Sequence, residues 1–207
     1  YNAEKFIESA VNSIMLQEEK DISIILINDG STDLSGNICE RLSSKYSNIK
    51  TLHISNRGAA KARNIGIDFV LRNNDKGYIS FLDADDLWVG NTITKTLVRE
   101  IIDFNPSIVG FSSLVSNPNA SRVKILHQYS NENKIVEKYK FDDLYIKGTF
   151  AAHFYNIDLF RNENIRFNEK CRFNEDVIFS SKMLFFSEKF MFLDTFFITL
   201  PNHRLER

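Results

Sequence analysis

The chain is predicted to be an α/β protein, with a mostly parallel sheet flanked by helices and a less regular α+β second half. Three observations carry this. Short β-branched apolar runs alternate with amphipathic stretches of ten or more residues over positions 1–115, the pattern of βαβ units. Two of those runs end in aspartates. Beyond them the alternation breaks down, and most of the 18 phenylalanines fall there, as filler for an α+β core.

Taken in order, the elements are justified as follows. Asn2 is a good N-cap, and Tyr1 and Phe6 stand at hydrophobic-staple positions. Phe6, Ile7, Ala10, Val11 and Ile14 recur at helical spacing, so a helix is predicted over 3–17. Asp21 to Asn28 is short, β-branched and almost wholly apolar, which predicts a strand buried on both faces. Leu34, Ile38, Leu42 and Tyr46 lie four apart and predict a helix over 33–46, capped by Thr32 or Asp33. Thr51 to Ile54 reads as a strand, Ala59 to Leu71 as a helix opened by Gly58, and Tyr78 to Leu82 as a buried strand. Ile93, Leu97, Ile101 and Phe104 mark a fourth helix, and Ile108 to Leu114 a further strand. Asn117 to Ser121 is turn-rich, Val123 to Tyr129 alternates like a half-exposed strand, and Phe141 to Lys147 reads as a short helix. Residues 172–187 read as a loop feeding a helix, and Phe190 to Leu200 as one or two strands.

At 207 residues and 24.0 kDa, with 43% hydrophobic and 26% charged residues, the chain can bury a real core as a single domain. A net charge of −1 argues against a sequence-independent grip on nucleic acid. No apolar run is as long as a membrane span. Cys39 and Cys171 make neither a disulfide framework nor a zinc cluster, and free thiols in a reducing compartment are expected.

Open α/β sheets bind ligands outside the carboxyl ends of their strands. Here those ends carry Asn28-Asp29-Gly30-Ser31-Thr32-Asp33 and Asp83-Ala84-Asp85-Asp86, expected on one edge because parallel strands point the same way. Three carboxylates in four residues repel one another unless something positive sits among them. Either the turn is solvated and caps the next helix, or it holds a hard divalent cation, Mg²⁺ or Mn²⁺, which takes oxygen ligands. A helix-loop-helix calcium loop is excluded: counting from Asp83, Trp88 stands where glycine is needed and Thr94 where glutamate is needed. Asp29 is a strand-tip acceptor for a base N–H or a ribose hydroxyl.

Tyr1-Asn2-Ala3-Glu4, Asn28 to Asp33, Gly58 to Gly66 and Phe81 to Asp86 resemble, in order and spacing, the family 2 glycosyltransferases of GT-A fold, and Asn174-Glu175-Asp176 resembles the family's Glu-Asp motif. The resemblance implies an inverting enzyme that transfers a sugar from a nucleotide-diphosphate sugar, with uridine the expected nucleoside, to a hydroxyl acceptor such as a saccharide or lipid-linked glycan. It implies a donor-binding half over 1–115 and an acceptor-binding, catalytic-base half over 116–207 of the same domain. In the donor pocket it places Tyr1 stacked on the base, Asp29 accepting from it, Arg63 on the base pocket or diphosphate, and Asp83 on the ribose, with Glu4, Ser31 and Ala84 alongside. Asp85 is the implied Mn²⁺ or Mg²⁺ ligand, His203 a second one, and Asp176 the implied base with Glu175 beside it. Family members begin with a buried strand that ends where Tyr1 stands, so roughly ten further residues are expected upstream.

Arg57 and Lys61 stand where many relatives carry small or neutral residues, and Trp88 either lines the acceptor site or fills the core. His53, His127 and His153 have no evident constellation. Two rival readings remain: a nucleotide-binding module without catalysis, and phosphoryl transfer through an aspartate nucleophile, which usually wants Thr or Val where Leu87 stands. The expected setting, by analogy, is bacterial surface-polysaccharide synthesis in the cytoplasm, at or near the inner membrane face.

Overall fold

The computed structural model describes residues 1–117, 122–127, 134–136, 150–171 and 174–199, with side chains described for 1–113, 150–171 and 174–193. The fold is mixed α/β. A two-stranded parallel sheet joins β1 (Ile24–Asp29) to β2 (Ile49–Ile54). A second sheet runs in the order β3 (Tyr78–Ile79), β8 (His153–Asn156), β5 (Ile108–Asn117), β9 (Phe190–Thr199), β4 (Asp86–Trp88). On its flanks, β6 (Arg122–His127) pairs with β5 and β7 (Lys134–Val136) with β9. Pairing is parallel in β1–β2 and β5–β9 and antiparallel elsewhere, so antiparallel ladders take a larger share than the helix–strand alternation suggests. Among the described residues β1 is bonded on one edge only, to β2, and β3 on one edge only, to β8.

Helix α1 (Ile7–Met15) starts later than its apolar spacing predicts. Asn2 is not its cap. It sits at φ 48, and its side chain instead accepts from the Thr32 N–H at 2.9 Å. The helix buries Ile7, Ala10 and Val11, and two polar side chains at its far end fasten the next sheet. Gln17 donates to the Gly90 carbonyl and accepts from the Ile93 N–H, both at 2.8 Å, and Ser13 accepts from the Trp88 N–H at 3.0 Å. These buried bonds leave neither side chain unsatisfied.

Helix α2 (Ser35–Lys45) packs Cys39 and Leu42 on β1 and β2. Its first turn is held by two acids: Asp33 accepts from the Ser35 N–H at 2.9 Å and Glu4 from the Leu34 N–H at 2.9 Å. Cys39 and Cys171 are free thiols, and burial pushes the Cys39 thiol up. Helix α3 (Ala59–Asn73) opens at Gly58, whose φ of 90 suits glycine. Helix α4 (Lys95–Phe104) has Thr94 accepting from the Leu97 N–H and ends at Asn105 in the left-handed region.

The strand predicted over 78–82 is paired only at Tyr78 and Ile79. Phe81 leaves the ladder for an aromatic cluster. Its ring lies 5.2 Å from Phe167, 5.7 Å from Phe179 and 5.8 Å from Phe150. The core around it draws Ala60, Ile67 and Ile79 from the first half together with Tyr155, Phe160, Phe179 and Phe192 from the second. Helices α5 (Ile157–Asn162) and α6 (Glu175–Phe185) pack on this cluster. The helix predicted over Phe141 to Lys147 lies outside the described residues.

Candidate active site

Asp29 closes β1. Its carboxylate is buried, and each oxygen accepts one backbone N–H from the segment leading into α3: Arg57 at 2.8 Å and Gly58 at 2.9 Å. Gly30 makes this close approach possible. Its φ is +66, and a Cβ there would stand 2.6 Å from the Asn56 nitrogen. The opening residues lie across the same turn. The Asn2 N–H donates to the Ser31 hydroxyl at 3.0 Å and the Glu4 N–H to Asp33 at 3.2 Å. Burial would raise the Asp33 carboxyl, but the bonds from Ser35 and Glu4 outweigh it and hold it below its ordinary value. Tyr1 is left 61% exposed beside this turn.

Asp83, Ala84, Asp85 and Asp86 follow Phe81 out of the core, and the Asp86 N–H closes a turn on the Asp83 carbonyl at 3.0 Å. One carboxylate oxygen from each of Asp83, Asp85 and Asp86 lies within 4.8 Å of the others, and all three residues are part-exposed. Ala84 packs on the cluster formed by α1, α2 and β1, so this tip abuts the unit that carries Asp29. The Asp85 carboxylate makes no hydrogen bond or ion pair with the described residues.

Arg63 links this tip to α6. Its Nη2 donates to Asp83 Oδ1 at 2.8 Å and its Nη1 to Glu175 Oε1 at 3.2 Å, with 15% of its side chain exposed. Its guanidinium lies 4.4 Å from the Phe150 ring centre and 5.3 Å from that of Phe167. Asp176, next along the helix, is part-exposed, and its Oδ1 accepts from the Val177 N–H at 2.9 Å. Arg63 lies five residues into a helix that begins at the Asp29 clamp, about 8 Å along its axis. Asp83, Arg63 and Glu175 are therefore in contact, and Asp29 is tied to them through the first turns of α3. Glu4 and Ser31 are engaged with the α2 turn, and His203 lies outside the described residues.

Residue spacing gives no sign of two features here. Asn64, buried on α3, brackets Phe167: its Oδ1 accepts from the Phe167 N–H at 2.9 Å and its Nδ2 donates to the Phe167 carbonyl at 3.0 Å. The same amide donates to Glu169 at 2.9 Å, and this bond, with Lys61 and Arg57 nearby, holds the Glu169 carboxyl below its ordinary value despite the opposing effect of burial. The second feature corrects the reading of His53, which does have partners: Asn28 at 2.9 Å on one ring nitrogen and Glu40 at 2.6 Å on the other. His153 is buried and stacks on Tyr155. Trp88 is a core residue, packed on Phe154 with ring centres 5.7 Å apart.

The layered α/β frame, with acids at its strand ends and a facing helix that carries more, is the GT-A glycosyltransferase fold. Staphylococcus aureus TarS 1–349 in complex with UDP matches it at a TM-score of 0.80 and 21% identity, over 98% of this chain and 58% of that one. The chain belongs to glycosyl transferase family 2, whose model matches residues 1–185. Glycosyltransferase GlyA of Streptococcus pneumoniae serotype 4 is 36% identical over 108 residues, 52% of this chain. The minor teichoic acid biosynthesis protein GgaA of Bacillus subtilis is 28% identical over 180 residues, 81% of this chain. The chain spans 15% of the length of GlyA and 39% of that of GgaA. Among the described residues, no helix is long and apolar enough to cross a membrane.

Proposed function

We propose that the chain carries the donor-binding and catalytic part of an inverting glycosyltransferase. In this reading it moves a sugar from a uridine-diphosphate sugar to a hydroxyl on a bacterial surface glycan. The observation that carries the reading is the junction at Arg63, where the acids of the 83–86 tip meet the acids that open α6. UDP is favoured by the ligand of the TarS structure, and a surface glycan by the name of GgaA.

The three oxygens within 4.8 Å offer no nitrogen or sulfur, which suits a hard divalent ion, Mn²⁺ or Mg²⁺, with Asp85 as the principal ligand. Such an ion, when bound, neutralises charge on a diphosphate leaving group. Asp83 takes the ribose. Asp29 keeps acceptor capacity beyond its two backbone bonds for the N–H of uracil, and the exposed Tyr1 ring stacks on the base. Glu4 and Ser31 hold the opening residues in place beside that base, and Ala84 seats the tip against the first sheet. Asp176 accepts the proton of the acceptor hydroxyl as it attacks from the face opposite the diphosphate, so the anomeric configuration inverts.

The test is UDP release from a panel of UDP-sugars with Mn²⁺ and glycan acceptors. Asp176→Asn lowers turnover by about 10²–10⁴-fold while UDP affinity stays within about twofold. Equal turnover in both proteins would assign the base elsewhere.

A further inference from the structure

Arg63 is a natural charge partner for a nucleotide, yet both of its terminal nitrogens already bond acids of this chain. We propose that it is instead a positioning residue. By gripping Glu175 it fixes the first turn of α6, and with it Asp176, against the 83–86 tip. This rests on the transferase reading above.

Two geometric facts favour the assignment. Each arm of the guanidinium holds a different carboxylate, at 2.8 and 3.2 Å, from segments far apart in the chain. Its faces lie against Phe150 and Phe167, and only 15% of the side chain is exposed. Two of its five N–H groups, one on each terminal nitrogen, are bonded to these acids. The planar fork bridges two acids, a task that a lysine's point charge does not reproduce.

The same two acids are also buttressed from beneath. Phe81 stands two residues before Asp83, and Phe179 four residues after Glu175, one helical turn on. Phe167 receives both: its ring stacks on Phe179 at 3.9 Å and meets Phe81 edge-on at 5.2 Å. Asn64 in turn pins the Phe167 backbone. The spacing between the strand tip and α6 is thus set twice, by an ion-pair bridge and by a ring stack. Adjacent helical residues point about 100° apart, so drawing Glu175 onto Arg63 turns Asp176 to a different direction. Glu175 then orients and Asp176 reacts.

The experiment compares Arg63→Met, Glu175→Gln and the double variant. It uses kcat and KM for UDP release from the UDP-sugar that the wild type uses, and the Kd for UDP with Mn²⁺ by calorimetry. Each single variant should lower kcat by about 10–100-fold, because small misplacements of a reacting group have effects of that size. UDP Kd should stay within about threefold, and the double variant should be no slower than Arg63→Met alone, since the two residues act as one unit. If Arg63→Met raises the UDP Kd tenfold or more while Glu175→Gln does not, Arg63 serves the nucleotide, directly or through Asp83, and the proposal is wrong. Multiplicative losses in the double variant would also overturn it. Should Arg63→Met fail to fold, Glu175→Gln decides alone: an unchanged kcat refutes the bridge. A wild-type chain that binds UDP but releases none from any UDP-sugar overturns the transferase reading itself, and this inference with it.

Discussion

The two acidic strand tips look alike in sequence and differ in physical state. Asp29 is 5% exposed, with both oxygens already bonded to backbone N–H groups. Asp83, Asp85 and Asp86 are part-exposed, crowd one another within 4.8 Å, and include a carboxylate with no partner among the described residues. The first tip is a joint that sets where α3 begins. The second gathers three like charges at a part-exposed tip, with Asp83 paired to Arg63. A carboxylate after an apolar run therefore marks a strand tip, but the backbone around it decides whether the acid is taken up by the fold or left part-exposed.

Substitution at each tip separates the two jobs. Asp29→Ala should have the largest effect, a loss of about 2–3 kcal/mol in urea unfolding, because two charge-assisted backbone bonds disappear together. Asp85→Ala should leave stability within about 0.5 kcal/mol of wild type, or raise it, since it removes repulsion and no folded-state bond. Equal destabilisation by the two would erase the distinction. The smallest effect concerns Glu169 on the loop beside Arg63. Its folded carboxyl lies below its ordinary value, held there first by the Asn64 amide and then by Lys61. Its contribution is therefore fully present above the unfolded value and lost as pH falls through the folded one. The gap in urea midpoint between wild type and Glu169→Gln should be widest above the ordinary glutamate range and shrink as pH falls below it. A gap that grows on acidification would reverse the sign.

Much of the frame is legible in the sequence because it is local. The apolar periods of α1 to α4 place those helices to within a few residues. What is not legible is tertiary. Asn2 has the chemistry of a helix cap, but the β1–α2 turn offered its side chain a backbone N–H, and α1 started later. Phe81 continues an apolar run, yet a place among five aromatic rings outweighs further strand pairing. His53 acquires its neighbours only when β2 lies beside β1 and α2. The Asn64 bracket on Phe167 and the Arg63 bridge to Glu175 join residues roughly a hundred positions apart, a separation at which no spacing rule operates.

The central claim is that the 83–86 tip is a cation-dependent seat for a nucleoside diphosphate. Calorimetric titration of UDP, with and without Mn²⁺, into the wild type and Asp85→Ala addresses it most directly. The account predicts that Mn²⁺ tightens UDP binding to the wild type by about tenfold or more, some 1.4 kcal/mol, and leaves Asp85→Ala unaffected. Tight UDP binding that Mn²⁺ and Asp85→Ala both leave unchanged would contradict it.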